Sequence, residues 1–352
     1  MEANVDTLLP LFERERAAGR ALALGVLVRT EGSTYRKPGA LILIATDGEY
    51  AGLISGGCLE GDLREHARAV IQTGTARTVG YDTRSPEDLL WGLGIGCEGV
   101  MQILLLRAGP ENVWQPLTHL AAALTARTAT AVGVVVESSR DDVPAGSVAL
   151  PASAPGLAPR PAALATHSVQ RALGEATASG QPRWVEESSW HLFAFPLALP
   201  PRILLLGAGP DAAPVVEFAA RLGWKVTLVD HRPSYAVASH FPLAERIVLA
   251  RPEELSTAVG LEGFSAAVVM SHHRPSDLIY LRSLAASPIS WIGLLGPAAR
   301  RERLLADLGT EAQELRTRLH APVGLPLGGR RPESIALAIV AQLHAFVHGI
   351  DN

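Results

Sequence analysis

Two cysteines and the glycines around them are the residues of this sequence best suited to chemistry. Cys58 ends the run Ser55–Cys58, which contains two glycines, and Cys97 ends the glycine-rich run Gly92–Cys97. Two cysteines are too few for a disulfide framework or a four-ligand structural zinc site. Both lie in glycine-rich turns, where a ligand can approach the backbone closely. A site shared by the two thiols would suit a soft metal–sulfur species, a persulfide or a redox pair.

Cys58 stands where a predicted strand gives way to a helix that runs through Ile71. The amides and dipole of a helix N-terminus favour the thiolate form of a cysteine. Gly56 and Gly57 are expected to leave room for a ligand beside the thiol. The alternative is a small cysteine that only packs the turn, which is the commoner role of a lone cysteine.

A polar loop, Gly32–Gly39, is a further candidate binding element of the first half. It carries hydroxyl groups and cations between two glycines. Such groups bind a phosphate or a polar heterocycle, and a solvated turn is the alternative interpretation. The candidate binding residues of this loop are Ser33, Thr34, Arg36 and Lys37.

The second half opens with a pattern typical of nucleotide binding. An apolar run at 203–206 ends in Gly207-Ala-Gly209, and a predicted helix follows. The first glycine permits a tight turn, and the second lets a pyrophosphate approach the helix N-terminus. The next predicted strand ends at Asp230, which is 230 − 207 = 23 residues after the first glycine, where an acid typically meets a ribose hydroxyl. The pattern predicts a Rossmann-type fold that binds NAD(P), with a scaffold that binds no dinucleotide as the alternative.

The segment 271–277 follows a predicted strand at the sheet edge where ligands bind in such folds. His272 is a candidate binding residue and the one acid–base candidate near the predicted dinucleotide site. Alternatively, His272 and Asp277 only cap the next helix. Three arginines further along are predicted to form a solvated helix face: Arg300, Arg301 and Arg303.

The elements that position these residues divide into two predicted domains, 1–198 and 199–352. The first is predicted to be a mixed α/β domain, and prolines mark 138–162 as a loop or a loose strand pair and not a packed element. Its predicted strands are 22–29, 40–45, 50–54, 100–106, 131–137 and 191–195, and its further helices are 5–18, 110–124 and 169–178.

In the second domain, short apolar strands alternate with amphipathic helices, which predicts a doubly wound parallel sheet with helices on both faces. The predicted strands are 202–206, 224–229, 246–249, 266–270 and 289–294, and the predicted helices are 211–222, 275–286, 297–307 and 332–347.

Bulk composition excludes several classes of partner. The chain has 352 residues and a formal net charge of −4, and aromatic residues make up 5% of it. Neither nucleic acid nor an anionic membrane surface is therefore predicted as a partner. No run is apolar for long enough to cross a bilayer, and an N-terminus with Glu2 and Asp6 lacks the pattern of a signal peptide. We expect a cytoplasmic protein.

Taken together, the motifs resemble the xanthine dehydrogenase accessory protein family, XdhC/CoxI. The resemblance covers about residues 15–108 and 200–347 and leaves the proline-rich middle unmatched. One departure is Glu98, where the family often has a small residue or asparagine, and a carboxylate there disfavours an anionic cofactor. The segments that carry the resemblance are Gly32–Gly39, Ser55–Gly61, Trp91–Cys97, Gly207–Gly209, Asp230, Ile292–Gly296, His320–Leu325 and Gly328–Ile335.

The resemblance implies a maturation factor for molybdenum hydroxylases of the xanthine dehydrogenase type. Such a protein binds molybdenum cofactor (molybdopterin), protects it while its terminal sulfur is installed, and delivers it to the apoenzyme. The implied partners are the hydroxylase apoenzyme and a cysteine desulfurase, and a homodimer is the expected assembly. On this interpretation Arg36 and Lys37 meet the cofactor's phosphate, and Cys58 or Cys97 faces the metal or carries sulfur.

Two other functions are consistent with the sequence. One is an NAD(P)-dependent oxidoreductase that works through the second domain, and the other is an NAD(H)-binding redox sensor. The oxidoreductase interpretation is weakened because His272 is the only suitable acid–base candidate near the predicted dinucleotide site. The sequence therefore favours an accessory protein over a free-standing enzyme.

Overall fold

The structure is a computed structural model, and it describes residues 5–84, 99–154 and 161–350. The chain divides into two compact units, Met1–Leu199 (unit 1) and Pro200–Asn352 (unit 2). The elements of unit 1 are α1 (Val5–Ala17), β1 (Leu22–Gly32), β2 (Leu41–Ala45), β3 (Tyr50–Gly52), α2 (Glu60–Thr73), β4 (Arg77–Asp82), β5 (Gly99–Ala108), α3 (Leu117–Ala126), β6 (Ala131–Ser138), β7 (Val148–Ala149), α4 (His167–Ser179), β8 (Arg183–Glu186) and β9 (Trp190–Pro196).

An antiparallel sheet in the order β3-β2-β1-β5-β4 forms the centre of unit 1. Successive residues of β1 point to opposite faces of the sheet, as the strand period of two requires. Leu24 packs on one face with Phe12 of α1, and Leu27 packs on the other with Leu63 of α2. Both faces of the sheet are therefore buried beneath other elements.

A second antiparallel sheet, in the order β7-β6-β9-β8, completes unit 1. Val134 and Phe193 of this sheet share a core cluster with residues of β1. Leu192 points to the opposite face, where Leu173 of α4 covers it. Unit 1 is thus a mixed α/β structure, as predicted.

Two local predictions in unit 1 are wrong. The helix predicted over 110–124 begins only at Leu117, because Val113 and Trp114 have φ values of 54° and 51° that interrupt a right-handed helix. The proline-rich segment 138–162 contains the short strand β7, which pairs with β6 as a loose strand pair would, but Val143 and Leu150 are buried, so the prediction that the segment is not packed is wrong. Strands β4 and β8 were not predicted.

Unit 2 alternates strands and helices around a parallel sheet in the order β12-β11-β10-β13-β14-β15. The sequence did not predict α6, α9 or β15. The elements are β10 (Arg202–Leu206), α5 (Ala212–Arg221), β11 (Lys225–Asp230), β12 (Arg246–Leu249), α6 (Leu255–Val259), β13 (Ala266–Val269), α7 (Arg274–Ala285), β14 (Ile292–Leu294), α8 (Ala298–Leu308), α9 (Ala312–Leu315), β15 (Leu319–His320) and α10 (Pro332–Val347).

Helices cover both faces of this sheet. Leu205 of β10 packs with Val216 of α5 and Ile339 of α10, whereas its neighbour Leu204 packs with Leu281 of α7 on the opposite face. Burial on both faces explains why the strand sequences are apolar without alternation. The predicted doubly wound, Rossmann-like sheet is confirmed. No helix within the described ranges combines the length and the apolar character needed to cross a bilayer.

Candidate functional site

The Ser55–Cys58 turn lies between β3 and the N-terminus of α2. Gly56 and Gly57 have φ values of 76° and 109°, a region that side chains disfavour. A Cβ added at Gly57 would meet no heavy atom within 4 Å, so the turn is open on that side. Cys58 is half-buried, and its thiol donates to the Ser55 carbonyl oxygen at 3.5 Å. The structure thus places a thiol beside an accessible stretch of backbone.

Glu60 holds this turn in place, a role that sequence reasoning missed. Its Oε1 accepts hydrogen bonds from the amides of Ile54 and Ser55 at 3.2 and 3.0 Å. Its Oε2 accepts from the amide of Gly57 at 3.0 Å and from the Ser55 hydroxyl. The Ser55 hydroxyl in turn accepts from the amide of Leu59 at 2.9 Å. One buried carboxylate therefore satisfies the polar groups of the whole turn.

The electrostatics of Glu60 follow from these contacts. Burial alone would raise its pKa, but hydrogen bonds from the hydroxyl and amide of Ser55 outweigh burial and leave the pKa below its ordinary value. The carboxylate is therefore ionised at neutral pH. The sequence carried little signal for this role, because Glu60 follows Gly57 by three residues but Gly57 lacks the hydroxyl that a capping box requires.

The polar loop Gly32–Gly39 lies against this turn. A Cβ at Gly56 would be 3.7 Å from Cδ2 of Tyr35, which places the Tyr35 ring over the glycine. The Thr34 hydroxyl donates to the Arg36 carbonyl oxygen at 2.9 Å and shapes the loop. The Arg36 guanidinium lies 5.5 Å from the Tyr35 ring centroid. The predicted hydroxyl and cation residues are thus on the same part of unit 1 as the Cys58 turn.

Gly99, at the start of β5 and two residues after the glycine-rich run Gly92–Cys97, meets this loop. A Cβ at Gly99 would be 2.6 Å from the Ser33 carbonyl oxygen and 2.7 Å from Cγ2 of Thr34, so only glycine fits there. Thr83, at the end of β4, accepts the Gly99 amide on its hydroxyl at 3.1 Å. Cys97, two residues earlier in the sequence, lies outside the described residues.

The chemistry of the unit 1 site follows from its parts. It combines the thiol of Cys58, the cationic side chains of Arg36 and Lys37, and hydroxyls at Ser33 and Thr34. In the described ranges, no group of three or more histidine, cysteine or acidic side chains is placed to hold a metal ion. A half-buried thiol on the same part of unit 1 as the cationic loop instead fits an anionic ligand that carries its own soft metal.

The predicted phosphate turn of unit 2 adopts the expected shape. Gly207 has a φ of 118°, and a Cβ there would lie 2.6 Å from the Met270 carbonyl oxygen, so the turn touches the end of β13. His272 also has a positive φ, 58°, and its Nε2 lies 2.7 Å from Oδ2 of Asp211. A Cβ at Gly209 would be 3.7 Å from the His272 ring. The two glycines and His272 therefore share one sheet edge.

Asp230 lies at the same edge, and its carboxylate is engaged within the protein. Arg232 donates its amide and Nε to Oδ1, both at 2.9 Å. Arg232 Nη2 at 2.7 Å and the Ala208 amide at 2.8 Å donate to Oδ2. Because a carboxylate has about four acceptor positions, a ribose hydroxyl would have to displace one of these donors. Tyr235 also covers the Arg232 guanidinium, 3.8 Å from its ring centroid.

The segment after β13 forms a second buried polar contact. Asp277 accepts from the Ser271 hydroxyl and from Arg300 Nη2, the latter at 2.5 Å. The cap of α7 is His273, whose side chain accepts an amide of the first turn. Neither His272 nor Asp277 supplies the helix cap, so that alternative is wrong.

The arginines of α8 differ in their surroundings. Arg300 is paired with a buried acid, and Arg301 donates to the Ala321 carbonyl oxygen at 2.6 Å. The interpretation of these two residues as a solvated face is therefore wrong. Arg300 also packs against the turn before α8, since a Cβ at Gly296 would be 2.8 Å from Arg300 Cδ.

Family models match a stretch of each unit. The model of the XdhC and CoxI family matches residues 15–82, and the model of the XdhC Rossmann domain matches residues 203–343. A solved structure described as a xanthine dehydrogenase from Bacillus halodurans is 28% identical, with a TM-score of 0.79, over 98% of this chain and 97% of that chain.

Two curated relatives cover nearly the whole chain. A protein of Bacillus subtilis described as a probable subunit of xanthine dehydrogenase is 31% identical over 341 residues, which are 97% of this chain and 96% of the relative. The molybdenum cofactor insertion chaperone PaoD of Escherichia coli is 22% identical over 342 residues, 96% of this chain and 87% of the relative. The glycine turns, the polar loop and the Rossmann-like unit described above thus occur in a chain that belongs to the XdhC and CoxI family.

Proposed function

We propose that this chain is an accessory protein in the maturation of a xanthine dehydrogenase-type molybdenum hydroxylase. It binds molybdenum cofactor in unit 1, protects the cofactor while its terminal sulfur is installed, and delivers it to the apoenzyme. The family and the descriptions of two relatives, one as a cofactor insertion chaperone and one as part of a xanthine dehydrogenase, support an accessory role.

The observation that carries the proposal is the meeting of separate motifs at one place. The Cys58 turn, the polar loop and Gly99 come from distant parts of the sequence, and Tyr35 and Ser33 connect them. A solvated loop and an inert cysteine would not require this convergence. An anionic ligand with a sulfur-rich metal centre requires both cations and a thiol.

Each residue has a proposed role in holding this ligand. Cys58 faces the metal–sulfur centre, with Cys97 as a second thiol. Arg36 and Lys37 hold the phosphate, and Ser33 and Thr34 donate to it. Gly56 and Gly57 admit the ligand because they carry no side chains, and Glu60 is a positioning residue that fixes the turn. The cofactor supplies the molybdenum chemistry, which is used only after transfer.

The proposed partners follow from the same role. A cysteine desulfurase supplies sulfur while the cofactor is protected, and the hydroxylase apoenzyme receives it. The open side of the Cys58 turn leaves the bound cofactor accessible to both. We propose a homodimer as the working assembly.

The surroundings of Asp230 in unit 2 weaken the two dinucleotide-dependent alternatives. Asp230 is 1% exposed, and its acceptor positions are filled by Arg232 and Ala208. The remaining acid–base candidate, His272, is paired with Asp211. Asp230 therefore presents no free acceptor to a ribose hydroxyl, whereas His272 remains an exposed side chain paired with Asp211.

The test is anaerobic equilibrium binding of purified molybdenum cofactor to the full chain. We expect one cofactor per chain for the wild type. Cys58→Ala is expected to weaken binding by at least about tenfold, the effect of losing roughly 1.4 kcal/mol of contact. Arg36→Ala with Lys37→Ala is expected to weaken it similarly. Gln72→Ala, an exposed change at the far end of α2, is the matched control and should bind like the wild type.

The possible results of this experiment distinguish the accessory function from a dinucleotide-dependent one. Binding that is unchanged in Cys58→Ala would remove the assigned role of this thiol. No cofactor binding by the wild type, with saturable NADH binding that Asp230→Ala abolishes, would overturn the accessory proposal in favour of a dinucleotide-dependent function. Activation of an apo-hydroxylase by cofactor-loaded wild type, lost in Cys58→Ala, would support delivery.

A further inference from the structure

Two histidines meet at the C-terminal end of α10. His344 lies in the last turn of this helix, and His348 is its C-cap residue. Residues four apart in a helix lie on the same face, and the centroids of these two imidazole rings are 4.3 Å apart. The pair belongs to unit 2, whereas the Cys58 turn belongs to unit 1. The two histidines have no part in the function proposed above.

The distance between the two rings suits coordination of one metal ion. An imidazole nitrogen binds Zn²⁺ and similar ions at about 2.0–2.1 Å. With roughly 1.1 Å from that nitrogen to the ring centre, two imidazoles bound at an angle of about 90–110° have centroids about 4.5–5.2 Å apart. The rings of His344 and His348 are 4.3 Å apart and tilted by 43°. A small increase in this separation is therefore enough for both rings to bind one ion.

The ring of His344 is held in place by the core of unit 2. It stacks on Trp224, with centroids 6.1 Å apart and ring planes 22° apart. Trp224 is 5% exposed and shares a core cluster with Leu343, the neighbour of His344 in α10. One of the two ligands is therefore pre-oriented, which lowers the entropy lost when an ion binds. His348 is exposed, so an ion can enter from solvent on its side.

The chemistry of this helix end selects the class of ion. The carbonyl groups of the last turn give the C-terminus of a helix a partial negative charge, which favours a cation. Imidazole nitrogen is a ligand for ions such as Ni²⁺, Cu²⁺ and Zn²⁺, whereas Mg²⁺ and Ca²⁺ prefer oxygen. Across the described ranges, no third histidine, cysteine or acid joins the pair. The site therefore suits a transition-metal ion that keeps water at its other positions.

We propose that His344 and His348 bind one divalent transition-metal ion through a nitrogen of each ring. The ion links the C-cap of α10 to the turn that Trp224 and Leu343 hold in the core. Because the two rings meet only when α10 is formed, the ion binds the folded chain and stabilises unit 2. If the rings only packed against each other, a metal ion would have no effect on stability.

Titration of the full chain with NiCl2, without an affinity tag, tests the proposal at about pH 7.5, since metal ligands must be unprotonated. We expect one ion per chain with a dissociation constant of about 1–100 µM. Because Trp224 lies against His344, bound Ni²⁺ is expected to quench part of the tryptophan fluorescence. Mg²⁺ should neither bind nor quench. The absence of saturable Ni²⁺ binding below about 1 mM would overturn the proposal.

Three variants assign the ion to the pair. His348→Gln changes an exposed residue, so the chain should fold, and it should weaken Ni²⁺ binding at least about tenfold and abolish the quenching. Trp224→Phe should bind Ni²⁺ within about twofold of the wild type but lose the quenching. His167→Gln, at an exposed histidine of α4, is the matched control and should behave like the wild type. Wild-type binding in His348→Gln, or quenching that persists in Trp224→Phe, would overturn the assignment.

Thermal unfolding gives a second readout. At about 100 times its dissociation constant, Ni²⁺ is expected to raise the melting temperature of unit 2 in the full chain by about 5–10 °C. The rise should be absent in His348→Gln and present in His167→Gln. An equal rise in His348→Gln would place the stabilising ion elsewhere and overturn the proposal.

Discussion

At the scale of single residues, the carboxylate of Glu60 substitutes for the backbone partners that a turn of this kind lacks. Three amides and one hydroxyl donate to it, and it is 2% exposed. Its removal would leave buried amides without acceptors. Glu60→Ala is therefore expected to lower the free energy of unfolding by about 2–4 kcal/mol, measured by urea denaturation.

The same change should disturb the thiol site. Without the hydrogen bonds of Glu60 the turn is less constrained, so the rate at which Cys58 reacts with a maleimide is expected to change, although Cys58 itself is intact. Glu65→Ala is the control, because this exposed residue of the same helix pairs with Arg68 at the surface, a contact worth well under about 1 kcal/mol. A Glu60→Ala protein as stable as the control would contradict the structural role of Glu60.

The residues of the site differ in how far sequence predicts them. Cys58 and the glycines of both turns are visible in the sequence because their residue types are unusual at such spacing. Glu60 was missed because an acid at the start of a helix is common, and only the fold shows its carboxylate buried under the turn. Asp230 was placed at the correct strand end, but its pairing with Arg232 depends on local side-chain geometry.

At the scale of elements, a charged contact joins α1 to the connection that precedes β1. Glu15 of α1 is 3% exposed and accepts from Arg20 at 2.7 and 2.8 Å and from Arg14 at 2.9 Å. The hydrogen bonds from Arg20, opposed by burial and helped by Arg14, lower the pKa of Glu15 to about 2. Its ordinary pKa is 4.5, so folding is coupled to its ionisation between these values.

The coupling predicts a pH-dependent stability. Because the folded-state pKa is lowered, the stabilisation is fully present above pH 4.5 and is lost as the pH falls towards about 2. Arg14 and Arg20 are half-exposed, so screening limits the effect to roughly 1–3 kcal/mol. Urea denaturation at pH 6, 4.5 and 3 should show that the free energy of unfolding of the wild type exceeds that of Glu15→Gln by less as the pH falls. A constant difference across these pH values, or the same behaviour in Glu13→Gln, would contradict the assignment.

The elements differ in how well the sequence pattern predicts them. The strands of unit 2 were predicted well because burial on both faces makes them continuously apolar. Strand β4 was missed because it lies at a sheet edge, where only Val79 among its residues is buried. The start of α3 was misplaced because the left-handed conformations of Val113 and Trp114 have no signature in their residue types.

At the scale of the whole molecule, each core cluster draws its buried residues from one unit only. The clusters around β1, α2 and α4 consist of residues before Pro200, and the clusters on the two faces of the parallel sheet consist of residues after it. Among the described residues, the hydrophobic free energy of each unit is therefore contributed by its own sequence.

This separation predicts that the two units fold independently. Fragments 1–199 and 200–352 are each expected to unfold cooperatively in urea, with free energies of unfolding in the ordinary range of about 5–15 kcal/mol. A fragment ending at residue 128 is the matched control, because it removes Val134 and Phe193 from the core cluster that they share with β1 and should show no cooperative transition. If either complete unit lacked a cooperative transition, its own core clusters would not suffice to fold it, and that unit would need the other to fold.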